Sequence, residues 1–274
     1  MSDTRSPLRP CLAAALAALL APASAFAWPT ELRQSMARDA RRLLPRSLAE
    51  LMVDREKEIL EESARFPPEL TDAIAADLGQ GTLRPETLAA LEARAGQAIA
   101  LIREKHVSDG IVRLGSLMRV PADLSDPVLS RGPEGYPAGV TREYYAFVSA
   151  QLPKIPVVLD NPAALRLDRR ALGPYWQGLL ERSRDHSPVI QLELFKNGRV
   201  VDHRSLDFRS PVFGVGSLAY SRAVTAIAAT WLAVWREVRG DLTRMRAPKE
   251  LQPRESLPRS ATPLPAPSPE ARNP

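Results

Sequence analysis

The sequence predicts an all-α fold, a mainly helical multi-helix bundle with one small β-hairpin inserted before the last helix. Three observations carry that expectation. Apolar residues recur at three- and four-residue spacing through most of the chain. Prolines fall between these periodic runs rather than inside them. Strict apolar/polar alternation occurs in a single region late in the sequence.

Taken in order, Leu32, Met36, Ala40, Leu43 and Leu44 mark a first helix that Pro45 closes. A second helix is expected from about Ser47 to Arg65, before Pro67-Pro68. A third spans roughly 85–105, with Pro85 near its first turn and Leu88, Leu91, Ala95, Ile99 and Ile102 along it. A fourth, roughly 108–120, carries Ile111, Leu114 and Leu117, and Pro121 is expected to kink or end it. Residues 124–140 are loop-like, with Pro127, Pro133, Gly135, Pro137 and Gly139. "TREYYAFVSAQL" reads as a helix presenting Tyr144, Phe147, Val148 and Leu152, and "GPYWQGLLERSR" as a short one. "VIQLELF" and "RVVDHRSLDF" alternate on either side of Asn197-Gly198, a hairpin signal. The last helix, about 217–243, carries Tyr220, Val224, Ile227, Trp231, Trp235 and Val238 on one wide apolar face. The glycine-rich "GVGSLAY" opens it with Ser217 as the expected N-cap; its amides are the alternative, an anion site.

The ends read differently from the body. Residues 1–27 have the form of a signal peptide: Arg5 and Arg9, an apolar core, and the small-residue site Ala25-Phe26-Ala27. The apolar run is short for a full membrane span of roughly 20 residues. Cleavage after Ala27 is expected, giving a periplasmic or secreted protein, not integral to a membrane once processed, that starts at Trp28. Cys11, the only cysteine, leaves with this segment, so the mature chain would have no disulfide or thiol chemistry. Residues 247–274 are rich in Pro and Ser and have almost no large apolar side chains, which predicts a disordered tail. Residues 28–246 are then one domain, and the 45% hydrophobic content suits a substantial core. The net charge of +5 is spread over "RDARR", "RLDRR" and "ERSRD", where acids sit beside the arginines, the pattern of solvated helix faces. With only 5% aromatic residues there is no strong nucleic-acid signal, and a monomer is expected.

Chemical motifs are sparse. The histidines are His106 (with Asp109 one turn on), His186 and His203, and none has the tight ligand spacing of a zinc motif such as H-E-x-x-H. They read as surface or turn residues. Ser217, His203 and Asp207 can be grouped into a triad on paper, but no local pattern supports it, and no phosphate-binding loop or nucleophile elbow is present.

Several stretches taken together resemble the superfamily of bacterial zinc-dependent phospholipases C and single-strand-specific zinc nucleases. "RQSMARDARRLLP" is similar to the family's first helix, with Met36, Ala37, Ala40, Leu43, Leu44 and Pro45 matching and Arg33 at a histidine position. "SARFPPEL" resembles a Tyr-Pro-Asp segment, with Pro68 at the aspartate. "LGSLMRVPADLSDPVL" is similar to Leu-Gly-x-Leu-x-His-x-x-x-Asp-Leu-x-x-Pro and a further histidine; Asp123 is kept, while Arg119 and Leu129 stand at the histidines. "TREYYAFV" resembles His-x-x-Tyr-Glu-x-Phe-Val, with Thr141 and Tyr145 at the ligand positions. "GVGSLAYSRAVTAIAATWLAVW" is similar to the closing helix.

The resemblance implies an exported all-α protein whose enzymatic relatives bind three zinc ions and use the amino group and carbonyl of a first-residue tryptophan, here Trp28. Packing positions match and zinc-ligand positions mostly do not. An arginine cannot ligate zinc and keeps its charge near neutral pH. The resemblance therefore implies a vestigial pocket of Trp28, Arg33, Arg119, Asp123 and Tyr145 with no catalytic residue, no metal and no cofactor. Such a protein would be a pseudoenzyme, a non-catalytic binding or envelope protein whose partner is an anionic or phosphate-containing ligand or another protein. The alternative is a phosphoric-ester hydrolase with a reduced or rearranged zinc site.

Overall fold

The computed structural model describes residues 28–131 and 135–243. Residues 1–27, where a signal peptide is expected, with Cys11, residues 247–274 and Pro133 lie outside the described residues. Within them the chain is all-α with a two-stranded hairpin before the last helix. The helices are α1 (Thr30–Arg41), α2 (Arg46–Asp54), α3 (Glu56–Ala64), α4 (Pro68–Gln80), α5 (Pro85–Arg103), α6 (Val107–Ser116), α7 (Arg119–Leu124), α8 (Val140–Gln151), α9 (Leu172–Arg184), α10 (Ser187–Leu194) and α11 (Pro211–Glu237). The hairpin is β1 (Phe195–Lys196) and β2 (Arg199–Val200), antiparallel, with Phe195 opposite Val200. Asn197 and Gly198 have φ of 53° and 74°, the left-handed pair that a tight hairpin turn needs.

The 27-residue helix α11 is the centre of the fold, and α1, α5, α7, α8, α9 and α10 all pack on it. By length and composition it could cross a bilayer; in this fold most of it is enclosed by the other helices. Its alanines at 223, 226, 228, 229 and 233 allow close approach, and Val224, Ile227, Trp231 and Leu232 fill the spaces between neighbours. Three polar side chains on α11 find partners far away in sequence. Tyr220 donates to Asp39 Oδ2 at 2.8 Å, and Trp176 Nε1 donates to Thr230 Oγ1 at 3.2 Å. Arg236 donates to the carbonyls of Leu165 and Leu167. Leaving such groups unpaired would cost about 1–3 kcal/mol each, so these bonds dictate how α1 and α9 dock.

Four sequence expectations are corrected. The apolar stretch 189–194 is helical. Ile190 and Leu194 are buried one turn apart while Leu192 is 69% exposed, so its burial follows the helical period and the strands shrink to two residues each. The last helix starts at Pro211, capped by the Ser210 hydroxyl, which accepts from the Phe213 amide at 3.3 Å. Ser217 is therefore an interior helical residue, and the stretch Gly214 to Tyr220 offers no free amides. Gly216 has another use: a Cβ there would come within 2.9 Å of Val148, so the glycine lets α8 cross α11 closely. The 47–65 run breaks at Arg55 (φ −118°), whose guanidinium reaches Glu58 and Ser108; no proline or glycine marks that bend. The 108–120 run ends at Ser116, and Pro121 sits in the first turn of α7, where its missing N–H costs little. Helix α4, which begins directly at the Pro67-Pro68 break, is an addition.

Helices α3 and α6 meet at Gly115, where an added Cβ would lie 2.6–2.7 Å from three side-chain atoms of the buried Ile59. Gly115→Ala is expected to destabilise the protein by about 1–3 kcal/mol through overpacking, despite the better helix propensity of alanine. Urea unfolding measures this. Unchanged stability would mean that the α3–α6 contact is looser than described.

Candidate functional site

The site assembles from three helices and the segment that precedes them. Trp28 is fully buried just before α1, and its Nε1 donates to the Ala122 carbonyl in α7 at 3.0 Å. Its ring lies 6.0 Å from Tyr144 and 5.8 Å from Tyr145, and those two rings are 5.6 Å apart. This aromatic triangle joins α1, α7 and α8. Arg33 faces it one turn into α1, because positions 32 and 36 take the core and 33 takes the adjoining face.

On α7, Arg119 and Asp123 are four residues apart and share a face. Arg119 Nε lies 3.3 Å from Asp123 Oδ2, with side-chain exposures of 16% and 7%. The other Asp123 oxygen, Oδ1, is buried with no hydrogen-bond partner among the described residues. Arg33 interacts electrostatically with Asp123, Arg119, Tyr145 and Asp126, yet has no carboxylate within ion-pair distance among the described residues. Burial lowers its pKa, with Asp123 opposing. For Asp123 the balance is reversed: burial raises its pKa, and the two guanidiniums, Arg119 foremost, pull it back.

The structure thus brings Trp28, Arg33, Arg119, Asp123 and Tyr145 into one neighbourhood. It also adds Asp126, which the motif frame does not contain. Asp126 is fully buried; its Oδ2 accepts from the Tyr145 hydroxyl at 2.7 Å and its Oδ1 from the Val128 amide at 2.9 Å. Burial pushes its carboxyl up to about 7, against these hydrogen bonds. The signal available in the sequence was Asp126-Pro127, an aspartate placed to bond the backbone two residues on. Tyr144 and Tyr145 are both raised well above the ordinary phenol value by burial, so both are protonated donors near neutral pH.

The remaining ligand-position residues do not extend the cluster into a metal centre. Pro68 opens α4, Thr141 lies in the first turn of α8, and Leu129 packs with the apolar residues around Trp176. The histidines are elsewhere. His106 precedes α6 and His186 precedes α10. His203 lies in a short 3-10 turn with its Nδ1 2.7 Å from Glu143 Oε2. Ser217, His203 and Asp207 do not form a triad: the Ser217 hydroxyl is buried without a partner among the described residues, and Asp207 accepts from the Arg209 amide.

Glu143, Asp202 and His203 offer three potential metal-ligand atoms within 4.8 Å of one another. That grouping already satisfies itself. Arg204 takes both Asp202 oxygens, Arg142 takes Glu143 Oε1, and His203 takes Oε2 through both its ring and its amide. The His203 contact and then its amide bond hold Glu143 below the usual carboxylate range, as expected for an engaged acceptor.

Fold and site together define an all-α protein with a buried arginine–carboxylate cluster walled by a tryptophan and two tyrosines. No family model, no curated protein and no solved structure matches this chain.

The raised Asp126 value sets a pH dependence. Its folded pKa lies above the unfolded one, so its contribution is fully present below the unfolded pKa and is lost as pH rises through about 7. Against an Asp126→Asn variant, the wild-type protein is expected to lose roughly 2–4 kcal/mol of relative stability from acid to neutral pH. Denaturant unfolding at a series of pH values reads the difference, and parallel profiles for the two proteins would remove the assignment.

Proposed function

We propose that this protein is an exported, non-catalytic binding protein, a divergent relative of the zinc phospholipases C and zinc nucleases that its motif frame resembles, and that it takes an anionic ligand at the Arg33–Arg119–Asp123 cluster. The reading rests on one observation: two guanidiniums stand against the Asp123 carboxylate, and only Arg119 pairs with it at 3.3 Å. Arg33 is then available for a phosphate or carboxylate, which a planar guanidinium binds through two donors. A zinc ion at the same place would meet two fixed positive charges, and the Tyr145 hydroxyl is committed to Asp126.

Chemistry lacks an agent here. Asp126 has a proton affinity suited to a general base, but it is sealed from solvent and both its oxygens are engaged. Arginine stays protonated and cannot activate water. The protein acts as a periplasmic or secreted monomer with no resident metal. The second reading, a phosphoric-ester hydrolase with a rearranged zinc site, draws support from the proximity of Glu143, Asp202 and His203, which a metal would have to free from their present partners.

N-terminal sequencing of the exported form is expected to begin at Trp28; retention of residues 1–27 would contradict export by cleavage. The purified mature protein is expected to carry no stoichiometric zinc by elemental analysis. It should hydrolyse neither a generic phosphodiester nor a phospholipid, with or without added zinc. Inorganic phosphate should bind, and Arg33→Ala should weaken it by about 1.5–3 kcal/mol, roughly 10- to 150-fold. Turnover abolished by chelation and by Asp123→Ala would overturn the binding-protein reading. Turnover sensitive to His203→Ala instead would place the metal at the second grouping.

A further inference from the structure

The segment that follows α8, Leu152 to Leu159, reads LPKIPVVL. Lys154 is its only charge and every other residue in it is apolar, yet Ile155 alone is buried. Pro153, Lys154 and Val158 face solvent, Val158 at 58% exposure. A continuous apolar run left at the surface marks a place of contact. The segment is fastened to α11 from one side: Ser221 Oγ accepts from the Val158 amide and donates to the Pro156 carbonyl, both at 3.2 Å.

The stretch that leads into α11 continues this face. Phe208 is 43% exposed, and its ring centroid lies 5.7 Å from Lys154 Nζ. The guanidinium carbon of Arg209 lies 5.6 Å from the same centroid. Pro211 and Gly214 are exposed beyond it, and Phe213 is half-buried. An exposed aromatic ring thus sits between two cations, beside an exposed apolar segment.

Charge decides what can cover this face. Asp160 is engaged by Arg222 at 3.4 Å, and Asp207 accepts from the Arg209 amide at 2.8 Å. Neither Lys154 nor Arg209 has a carboxylate within ion-pair distance among the described residues. Over 152–159 and 206–214, two cations stand against the single acid Asp207. A second copy of this chain would bring those cations together, and a protein partner would have to supply matched carboxylates. An anionic bilayer meets both demands: its phosphates lie at the level that Lys and Arg side chains reach, and its outer acyl region accepts a ring and a branched side chain. The backbone suits that setting too. Pro153 and Pro156 have no N–H, and the Ile155 and Val158 amides are already bonded, to the Leu152 carbonyl and to Ser221.

We infer that this face docks on the surface of an anionic lipid bilayer, with Phe208 and Val158 entering the boundary between headgroups and acyl chains and Lys154 and Arg209 on lipid phosphates. The contact is peripheral, since α11 stays enclosed by the protein's own helices. This face shares no residue with the Arg33–Arg119–Asp123 cluster, and its binding does not depend on that reading.

The test is flotation of the mature chain, beginning at Trp28, with phosphatidylcholine vesicles that contain or lack phosphatidylglycerol. Vesicles with phosphatidylglycerol are expected to bind at least tenfold more tightly, and salt should weaken the binding. Two double variants at exposed positions carry the assignment: Phe208→Ser with Val158→Ser, and Lys154→Glu with Arg209→Glu. Each should weaken binding at least tenfold while the thermal midpoint is kept. Arg166→Glu with Arg170→Glu makes the same change in net charge near the other end of α11, where Arg236 bonds the Leu165 and Leu167 carbonyls, and should keep most of the binding. In Phe208→Trp, brominated acyl chains should quench the added fluorescence. The proposal is overturned if neither vesicle binds, if both bind equally, or if either double variant of the face binds as the wild type does. It also falls if the Arg166 and Arg170 pair loses as much binding as the Lys154 and Arg209 pair, or if brominated lipid leaves the added fluorescence unchanged. A dimer in solution that Phe208→Ser with Val158→Ser dissociates would overturn it as well, since a second copy would then cover the face.

Discussion

Burying a 27-residue helix along nearly its whole length is the constraint on which the rest of this structure depends. A helix apolar on most sides must be covered on most sides, and α11 is covered by elements drawn from the whole chain. Its apolar residues supply the driving force, but they do not say which neighbour goes where. Tyr220, Thr230 and Arg236 do, because each brings a polar group into the interior and each needs one specific partner. Asp39, Trp176 and the carbonyls of 165 and 167 are those partners, and they pin α1, α9 and the segment between α8 and α9 in place.

The arginine–carboxylate cluster inherits its geometry from this core. Helix α8 can lie close to α11 because Gly216 has no side chain to meet Val148. That crossing sets Tyr144 and Tyr145 against Trp28, and Trp28 is tied to α7 through the Ala122 carbonyl. Arg119, Asp123 and Asp126 therefore lie beside packed aromatic rings, with the two carboxylates buried and Arg119 only partly exposed. Low exposure makes every charge there consequential: the same Arg119–Asp123 contact on an open surface would contribute about 0–1 kcal/mol. Here, removing one partner leaves a buried charge behind, a change that costs about 3–5 kcal/mol in comparable settings.

The cluster and Arg94 on α5 are neighbours through Phe66. Its ring lies 4.6 Å from the Arg94 guanidinium carbon and 5.5 Å from that of Arg119. One aromatic ring thus serves an arginine from each region, a favourable use of a side chain that is itself 4% exposed. A change in the position of either arginine is felt by the ring, so the two regions share a physical contact without sharing a charged partner.

Helical periodicity made the all-α class and most helices legible, because a helix that buries one face repeats its apolar residues every three to four positions whatever it packs against. Proline placement marked the start of α5 for a local reason, the missing N–H. The Asn197-Gly198 turn was legible too, since its left-handed conformation restricts residue type. Arg33, Arg119, Asp123 and Tyr145 were named through the family resemblance rather than from their own spacing. Their meeting around Trp28, the engagement of Asp126 by Tyr145, and the sharing of Glu62 by Arg94 and Arg113 could not be read from the sequence, because they depend on contacts between separate elements. The residues 189–194 show the limit most directly: a short apolar run satisfies strand and helix alike, and only the exposure of Leu192 beside buried Ile190 and Leu194 decides between them. Local sequence determined what each segment prefers to be; tertiary packing decided which polar groups were taken out of water together, and that is where the chemistry of this protein lies.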